Sequence, residues 1–303
     1  MFDSKISAQR HDANPGLEFR RILVPTDFST GARRALECAR SIARKFHSEI
    51  HLLHVIPSDV FEMASPETSR EALAMAQEFA KQQLDGLATE GECQEIVHQN
   101  TLAEGPAWPM ISETIKAKQI DLVVVGTHGK SASKKLVLGS VAEKIFRMAD
   151  CPILTVPQQF EIVPGREVVL DRLLFATNFK PHNERAARLA HAFQGRQNVR
   201  LTVLHVVEDS SESTLPSQKL VEEFMVKRMR KVLSEGCLEQ CKPEFVVRFG
   251  KPVEEILAAT NQFHCNLILL GLRAAERSAG HLPSAVAYGI VCQAACPVLT
   301  LHQ

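Results

Sequence analysis

The sequence has no excess charge of either sign: lysine plus arginine and aspartate plus glutamate both number 35. A chain without a net field does not gather nucleic acid or an anionic membrane surface, so neither is an expected partner. Long hydrophobic runs are missing too. Nowhere do 18 apolar residues follow one another, which excludes a membrane-spanning helix. The opening stretch Met1–Gly16 is polar and mixed in charge, so neither a signal peptide nor an anchor is expected there. Eight cysteines scattered over 303 residues are not the dense framework of a small secreted domain, and the expected location is a reducing cytoplasm. Two nucleotide signatures are also missing. Gly129-Lys130-Ser131 has the ending of a P-loop, but the first glycine of that motif would fall on Val124. No Gly-x-Gly-x-x-Gly fingerprint occurs, which counts against a dehydrogenase.

What is there is a repeat. Hydrophobic residues make up 45% and charged residues 23%, the balance of a globular protein, and the length suits two domains better than one core. Arg21-Ile22-Leu23-Val24-Pro25-Thr26-Asp27-Phe28 aligns with Arg172-Leu173-Leu174-Phe175-Ala176-Thr177-Asn178-Phe179, and His54-Val55 with His205-Val206, at an offset of 151. Asp121–Gly126 aligns with Asn266–Gly271, and Cys151–Thr155 with Cys296–Thr300, at an offset of 145. Two constant offsets separated by one net shortening mark a duplicated unit. The copies span 18–157 and 169–303, joined by a linker at Pro157–Leu170.

Each copy alternates strand and helix signals. In the first, Ile22–Val24 is a short apolar run feeding Ser29 and Thr30, both good N-cap residues. Ala35, Leu36, Ala39, Ile42, Ala43 and Phe46 then recur at helical spacing. Strands are expected at Ile50–Ile56, Glu95–Thr101 (polar enough to be an edge), Leu122–Val125 and Ile153–Val156, and helices at Glu67–Ala88, Pro109–Lys118 and Val137–Met148. This alternation predicts an α/β fold of two tandem doubly wound domains, each a five-stranded parallel sheet between helices and Rossmann-like in topology.

Open parallel sheets bind ligands beyond the carboxyl ends of their strands, where the strand order reverses. Two segments fall there: Pro25-Thr26-Asp27, and Gly126-Thr127-His128-Gly129, the latter followed by Gly139-Ser140 at a helix start. Glycines let the backbone turn and approach a ligand, and freed N–H groups with a helix N-terminus can cradle phosphate. Ser140 adds a hydroxyl donor. Asp27, acceptor-only when ionised, suits sugar hydroxyls or an adenine amino group better than phosphate.

These residues resemble the universal stress protein family. Its nucleotide-binding members share Gly-x2-Gly-x9-Gly-Ser/Thr, which Gly126, Gly129, Gly139 and Ser140 match without a gap. The segment Val24–Ser29 with its aspartate is similar to the family's first strand and loop, and Leu52–Val55 is similar to its second strand. The resemblance implies the adenine nucleotide alpha hydrolase-like fold and an ATP site, with or without Mg²⁺. Pro25, Thr26, Asp27 and Val55 would face the nucleoside, and Gly126, Thr127, His128, Gly129, Gly139, Ser140 and Val141 the phosphates. It also implies a role in stress response or signalling, and dimerisation through the last strand, either within the chain or as a homodimer.

The second copy serves as an internal control. Gly271 keeps its place, but Gly129 becomes Ala274, Gly139 becomes Ser284, Ser140 becomes Ala285 and Asp27 becomes Asn178. Four of five matched positions change, so this copy is expected to bind no nucleotide in this mode and to be structural or regulatory. Lys130, Lys134 and Lys135 could steer phosphate or be plain solvated charges. Cys237/Cys241 and Cys292/Cys296, with His264 and His281 in the same half, lack the tight spacing of a zinc knuckle, so buried inert cysteine is the expectation and no metal site. His128 has no evident carboxylate partner for catalysis, and the repeat equivalence of His54 and His205 favours a structural role for both. No dedicated magnesium carboxylates or base stand by the loop, so at most slow hydrolysis is expected. Two other readings remain: a partner-binding module whose glycine loop is a plain turn, and a slow ATPase or autophosphorylating protein using Ser131, Ser133 or Ser140.

Overall fold

The computed structural model describes residues 19–57, 66–89, 96–129, 138–163, 166–181, 183–193, 199–208, 217–272 and 285–302. The first half runs β1 (Arg21–Pro25), α1 (Thr30–Phe46), β2 (Glu49–Ile56), α2 (Pro66–Thr89), β3 (His98–Glu104), α3 (Ala107–Ala117), β4 (Leu122–Gly126), α4 (Ser140–Met148) and β5 (Ile153–Val156). The second half runs β6 (Arg172–Ala176), α5 (Asn183–Ala192), β7 (Arg200–Val207), α6 (Gln218–Val232), a short α7 (Glu235–Cys241), β8 (Glu244–Phe249), α8 (Pro252–Gln262), β9 (Leu267–Leu272), α9 (Ala285–Gln293) and β10 (Val298–His302).

Local chemistry sets several boundaries. Ser29 caps α1, its hydroxyl accepting from the Ala32 amide at 3.1 Å. Its other end closes on His47 in the left-handed region, whose amide reaches the Ala43 carbonyl. β3 lies three residues further along than its sequence pattern suggests, and it is an edge strand. The expected helix start at Val137 lies outside the described residues; α4 begins at Ser140.

The ten described strands form one sheet in the order β3-β2-β1-β4-β5-β10-β9-β6-β7-β8. Within each half all pairings are parallel, and the order reverses between β1 and β4 and again between β6 and β9. The halves join through one antiparallel pair, with Val298 opposite Thr155, Leu299 opposite Leu154 and Thr300 opposite Ile153. Thr155 and Thr300 tighten it reciprocally: each hydroxyl donates across the seam, to Val298 and Ile153 carbonyls, at 3.2 Å. The last strands thus cover each other inside one chain, the intramolecular arm of the expected pairing.

Two hydrophobic layers flank the sheet and both cross the seam. One packs α1, α2, α5, α6 and α7 on one face; the other packs α3, α4, α8 and α9 on the opposite face. The linker is built into the first layer, since Val168 and Leu170 are buried in it and Phe160 and Ile162 lean on it. Cys237 and Cys241 belong to the first layer and Cys292 and Cys296 to the second, so the sheet separates the two cysteine pairs. Among the described residues no helix is long and apolar enough to cross a membrane.

Candidate functional site

The switch point between β1 and β4 opens into a cleft of about 240 Å³. Pro25, Thr26 and Asp27 reach it from β1, Val55 from β2, Gly126, His128 and Gly129 from β4, and Gly139, Ser140 and Val141 from the start of α4. The residue missing from the wall is Thr127. It is buried, and its work is internal: its amide donates to Val156, its carbonyl accepts from Gly139, and its hydroxyl meets His128 Nδ1 at 2.9 Å. Thr127 therefore braces the loop from below. Lys130, Ser131, Ser133, Lys134 and Lys135 lie outside the described residues.

The glycines serve three different purposes. A Cβ on Gly126 would sit 2.8 Å from the backbone of Gly31, and one on Gly31 would sit 2.3 Å from the His128 carbonyl oxygen. These two glycines let the first turn of α1 lie against the β4 loop. A Cβ on Gly129 would meet Asp27 Oδ2 at 2.6 Å, so this glycine makes room for the carboxylate, whose Oδ1 accepts from the Ser29 amide at 3.0 Å. Gly139 differs: a Cβ there would make ordinary contacts of 3.5 Å or more, and its φ of −59° suits any residue. Among the described residues no packing contact demands a glycine at 139.

Gly139 is also the N-cap of α4 and offers the first-turn amides no side-chain acceptor. A helix start that no described side chain caps, facing a cleft, is chemically an anion receptor. Asp27 is the sole carboxylate among the described lining residues. The apolar floor comes from Leu53, Ile111, Val125 and Ala142. Gly31, also missed, has one signal in the sequence: a glycine at the second position of a helix that the pattern otherwise makes strongly amphipathic. His54 frames the cleft through Nδ1, 2.7 Å from the Thr26 carbonyl, with its ring 4.4 Å from that of Phe28. His205 does the same with the Thr177 carbonyl at 2.8 Å and Phe179 at 4.3 Å. Burial pushes the His205 pKa down, as suits a neutral bracing imidazole.

The equivalent cleft of the second half measures about 140 Å³. Asn183 occupies the place that Ala32 holds in the first half; it is buried and donates to Asn178 Oδ1 at 2.7 Å and to the Lys180 carbonyl at 3.0 Å. The amide oxygen replacing the Asp27 carboxylate is thus engaged inside the protein. Glu208 stands where the first half has Pro57, bringing a negative charge to the wall. Ala274, His281 and Ser284 lie outside the described residues.

Universal stress protein MJ0531 of Methanocaldococcus jannaschii is 30% identical over 139 residues, covering 46% of this chain and 82% of that protein. Universal stress protein Rv2623 of Mycobacterium tuberculosis is 23% identical over 302 residues, covering 93% and 96%. The crystal structure of a universal stress protein from Archaeoglobus fulgidus superposes with a TM-score of 0.68 at 21% identity, covering 94% of this chain and 99% of that one. The profile of the universal stress protein family matches residues 18–157 and again 170–302. The chain belongs to that family and carries two of its domains in tandem.

Proposed function

We propose that the first domain binds ATP in the β1–β4 cleft, that the second domain is structural or regulatory, and that the protein acts in a cytoplasmic stress response. The observation that carries this reading is the uncapped start of α4 at Gly139-Ser140, opening on the same cleft as the Asp27 carboxylate. One end of the cleft favours an anion and the other accepts hydrogen bonds from hydroxyl or amino groups, with an apolar floor between them. A nucleotide has that order of chemistry. In the second domain Asn183 and Glu208 work against the same ligand, by filling and by charge.

Pro25, Thr26, Asp27 and Val55 would hold the nucleoside, and Gly126, Thr127, His128, Gly129, Gly139, Ser140 and Val141 the phosphates. The described wall carries one carboxylate, Asp27, so ATP would bind with or without Mg²⁺, and hydrolysis would be at most slow. Thermal denaturation with ATP, GTP and cAMP tests the assignment; cAMP is included because a universal stress protein has been solved in complex with it. ATP at a hundredfold excess over Kd should stabilise by about 2.7 kcal/mol. Absence of any shift with adenine nucleotides removes the reading and leaves the cleft as a structural turn.

A further inference from the structure

Two sulfurs in the second half depart from the inert burial expected of them. Cys237 and Cys241 stand i, i+4 on α7, and their Sγ atoms are 3.2 Å apart. Cys237 is fully buried in the layer that holds α1 and α5, whereas Cys241 is only partly covered. One helical turn puts their Cα atoms about 6 Å apart, inside the range that a disulfide spans. Among the described residues no group of three or more histidine, cysteine or acidic side chains stands ready for a metal. The chemistry open to the pair is therefore that of a dithiol.

Cys241 also lines a pocket of about 310 Å³ at the starts of β6, β7 and β8. Arg172, Arg200 and Lys242 bring three positive charges to its wall, against one carboxylate, Glu244. Cys265 lines it too, but burial pushes that thiol up to about 11, so at neutral pH it stays protonated and unreactive. The hydrogen bond between the paired sulfurs pulls the Cys237 thiol below its ordinary range, outweighing burial. A thiolate formed there passes to the accessible sulfur when the Cys241 proton crosses the short gap, so the charge belongs to the pair. We infer that Cys237 and Cys241 form a redox site, which a small disulfide bearing carboxylates enters through the basic pocket and converts to an intramolecular disulfide. The Cys241 thiolate attacks one sulfur of the entering molecule, whose S–S bond breaks; the released thiolate takes up the proton that Cys241 gave. Cys237 then loses its proton and attacks Cys241 Sγ, displacing the second small thiolate, which takes up that proton. Two cysteines are oxidised, and one small disulfide is reduced to two thiols. The site sits in the second domain and does not depend on what the first domain binds.

Oxidised glutathione, a disulfide of net negative charge, is the probe, added to the reduced and folded full chain. Remaining thiols are alkylated on quenching and peptides are weighed by mass spectrometry. Trypsin releases both cysteines in one peptide, residues 232–248, because Pro243 protects the bond after Lys242. That peptide should come out lighter by two hydrogens, with no glutathione attached. Cys237→Ala should stop at the mixed disulfide, carrying one glutathione on Cys241, and Cys241→Ser should leave the buried Cys237 a thiol. Arg200→Glu with Lys242→Glu should slow the reaction about tenfold or more, while the uncharged 2-hydroxyethyl disulfide reacts as before. Circular dichroism checks that each variant folds. In the unmodified chain, added salt should slow oxidised glutathione and leave the neutral probe unaffected, which tests the basic wall without any substitution. Both cysteines recovered as alkylated thiols, a mixed disulfide that persists in the unmodified chain, or a rate with oxidised glutathione indifferent to salt each overturns the proposal.

Discussion

Asp27 and Gly129 form a single unit, since the carboxylate occupies the space that a side chain at 129 would take. Asp27→Asn keeps the shape and removes the charge, so it should cost about 1.5–3 kcal/mol of nucleotide binding, tenfold or more in affinity, with little change in melting temperature. Gly129→Val displaces the carboxylate and should abolish binding in calorimetric titration. Gly139→Ala separates fold from function: among the described residues its Cβ meets only ordinary contacts, so the melting temperature should hold while ATP affinity falls. A mutant that binds normally would mean that no ligand approaches that backbone. His51 behaves differently. Both its ring nitrogens are buried without a hydrogen-bond partner, and burial pushes its pKa below 6.5 despite Glu49 nearby. Below pH 6.5 the unfolded chain takes up a proton that the folded chain refuses, so stability present above that value is lost on acidification. His98 and His205 are also shifted down by burial and add to the effect. His51→Leu should raise the melting temperature at pH 7.5 and flatten its fall toward pH 5. The spacing of the glycines was legible in the sequence, but the atom each accommodates was not. Gly31 and Gly126 meet across 95 residues, and only the folded chain shows that one exists for the other.

Elements whose signals are local emerged close to their sequence limits. β5 runs Ile153–Val156 as its apolar block suggests, and α1 starts after the Ser29 cap. β3 shifted because a polar edge strand has no buried face to fix its register by periodicity; its place is set by pairing with β2, Ile50 opposite His98. A second long-range tie has no local motif. Asp121 accepts from the amides of Arg20 and Arg21 at 2.8 and 3.1 Å, pinning the start of β4 to β1. Asn266, its repeat equivalent, accepts from Arg172 at 2.9 Å. This tie is kept in both halves although the positions of Asp27, Gly129, Gly139 and Ser140 are not, which marks it as scaffold. Asp121→Ala leaves an exposed amide at Arg20 and a partly buried one at Arg21 without their acceptor and should cost about 1–3 kcal/mol in denaturant unfolding. ATP affinity should be unaffected, because the tie lies at the strand end opposite the cleft.

The repeat announced two domains, and the exposed edges of their last strands announced a pairing, yet nothing in the sequence chose between a partner within the chain and one outside it. The choice rests on contacts that no local pattern encodes. Across the seam Phe46 meets Phe193 at 5.3 Å on one face of the sheet and Phe146 meets Tyr288 at 6.1 Å on the other, while Gln159 donates to the Ala294 carbonyl at 2.6 Å. Each half therefore completes the core of its neighbour, and neither can open without exposing the other. Two domains tied only by a flexible linker would melt separately; two that share both layers should melt together. Scanning calorimetry of the full chain should show one transition, with calorimetric and van't Hoff enthalpies in agreement. Phe146 is fully buried at the seam, and Phe146→Ala should cost about 3–5 kcal/mol. Because that loss falls on the junction, it should also broaden or split the transition, whereas a comparable cavity at Leu52, deep in the first half, should lower the melting temperature and leave the transition single. Two resolved transitions in the unmodified protein would show that the shared sheet does not couple the domains.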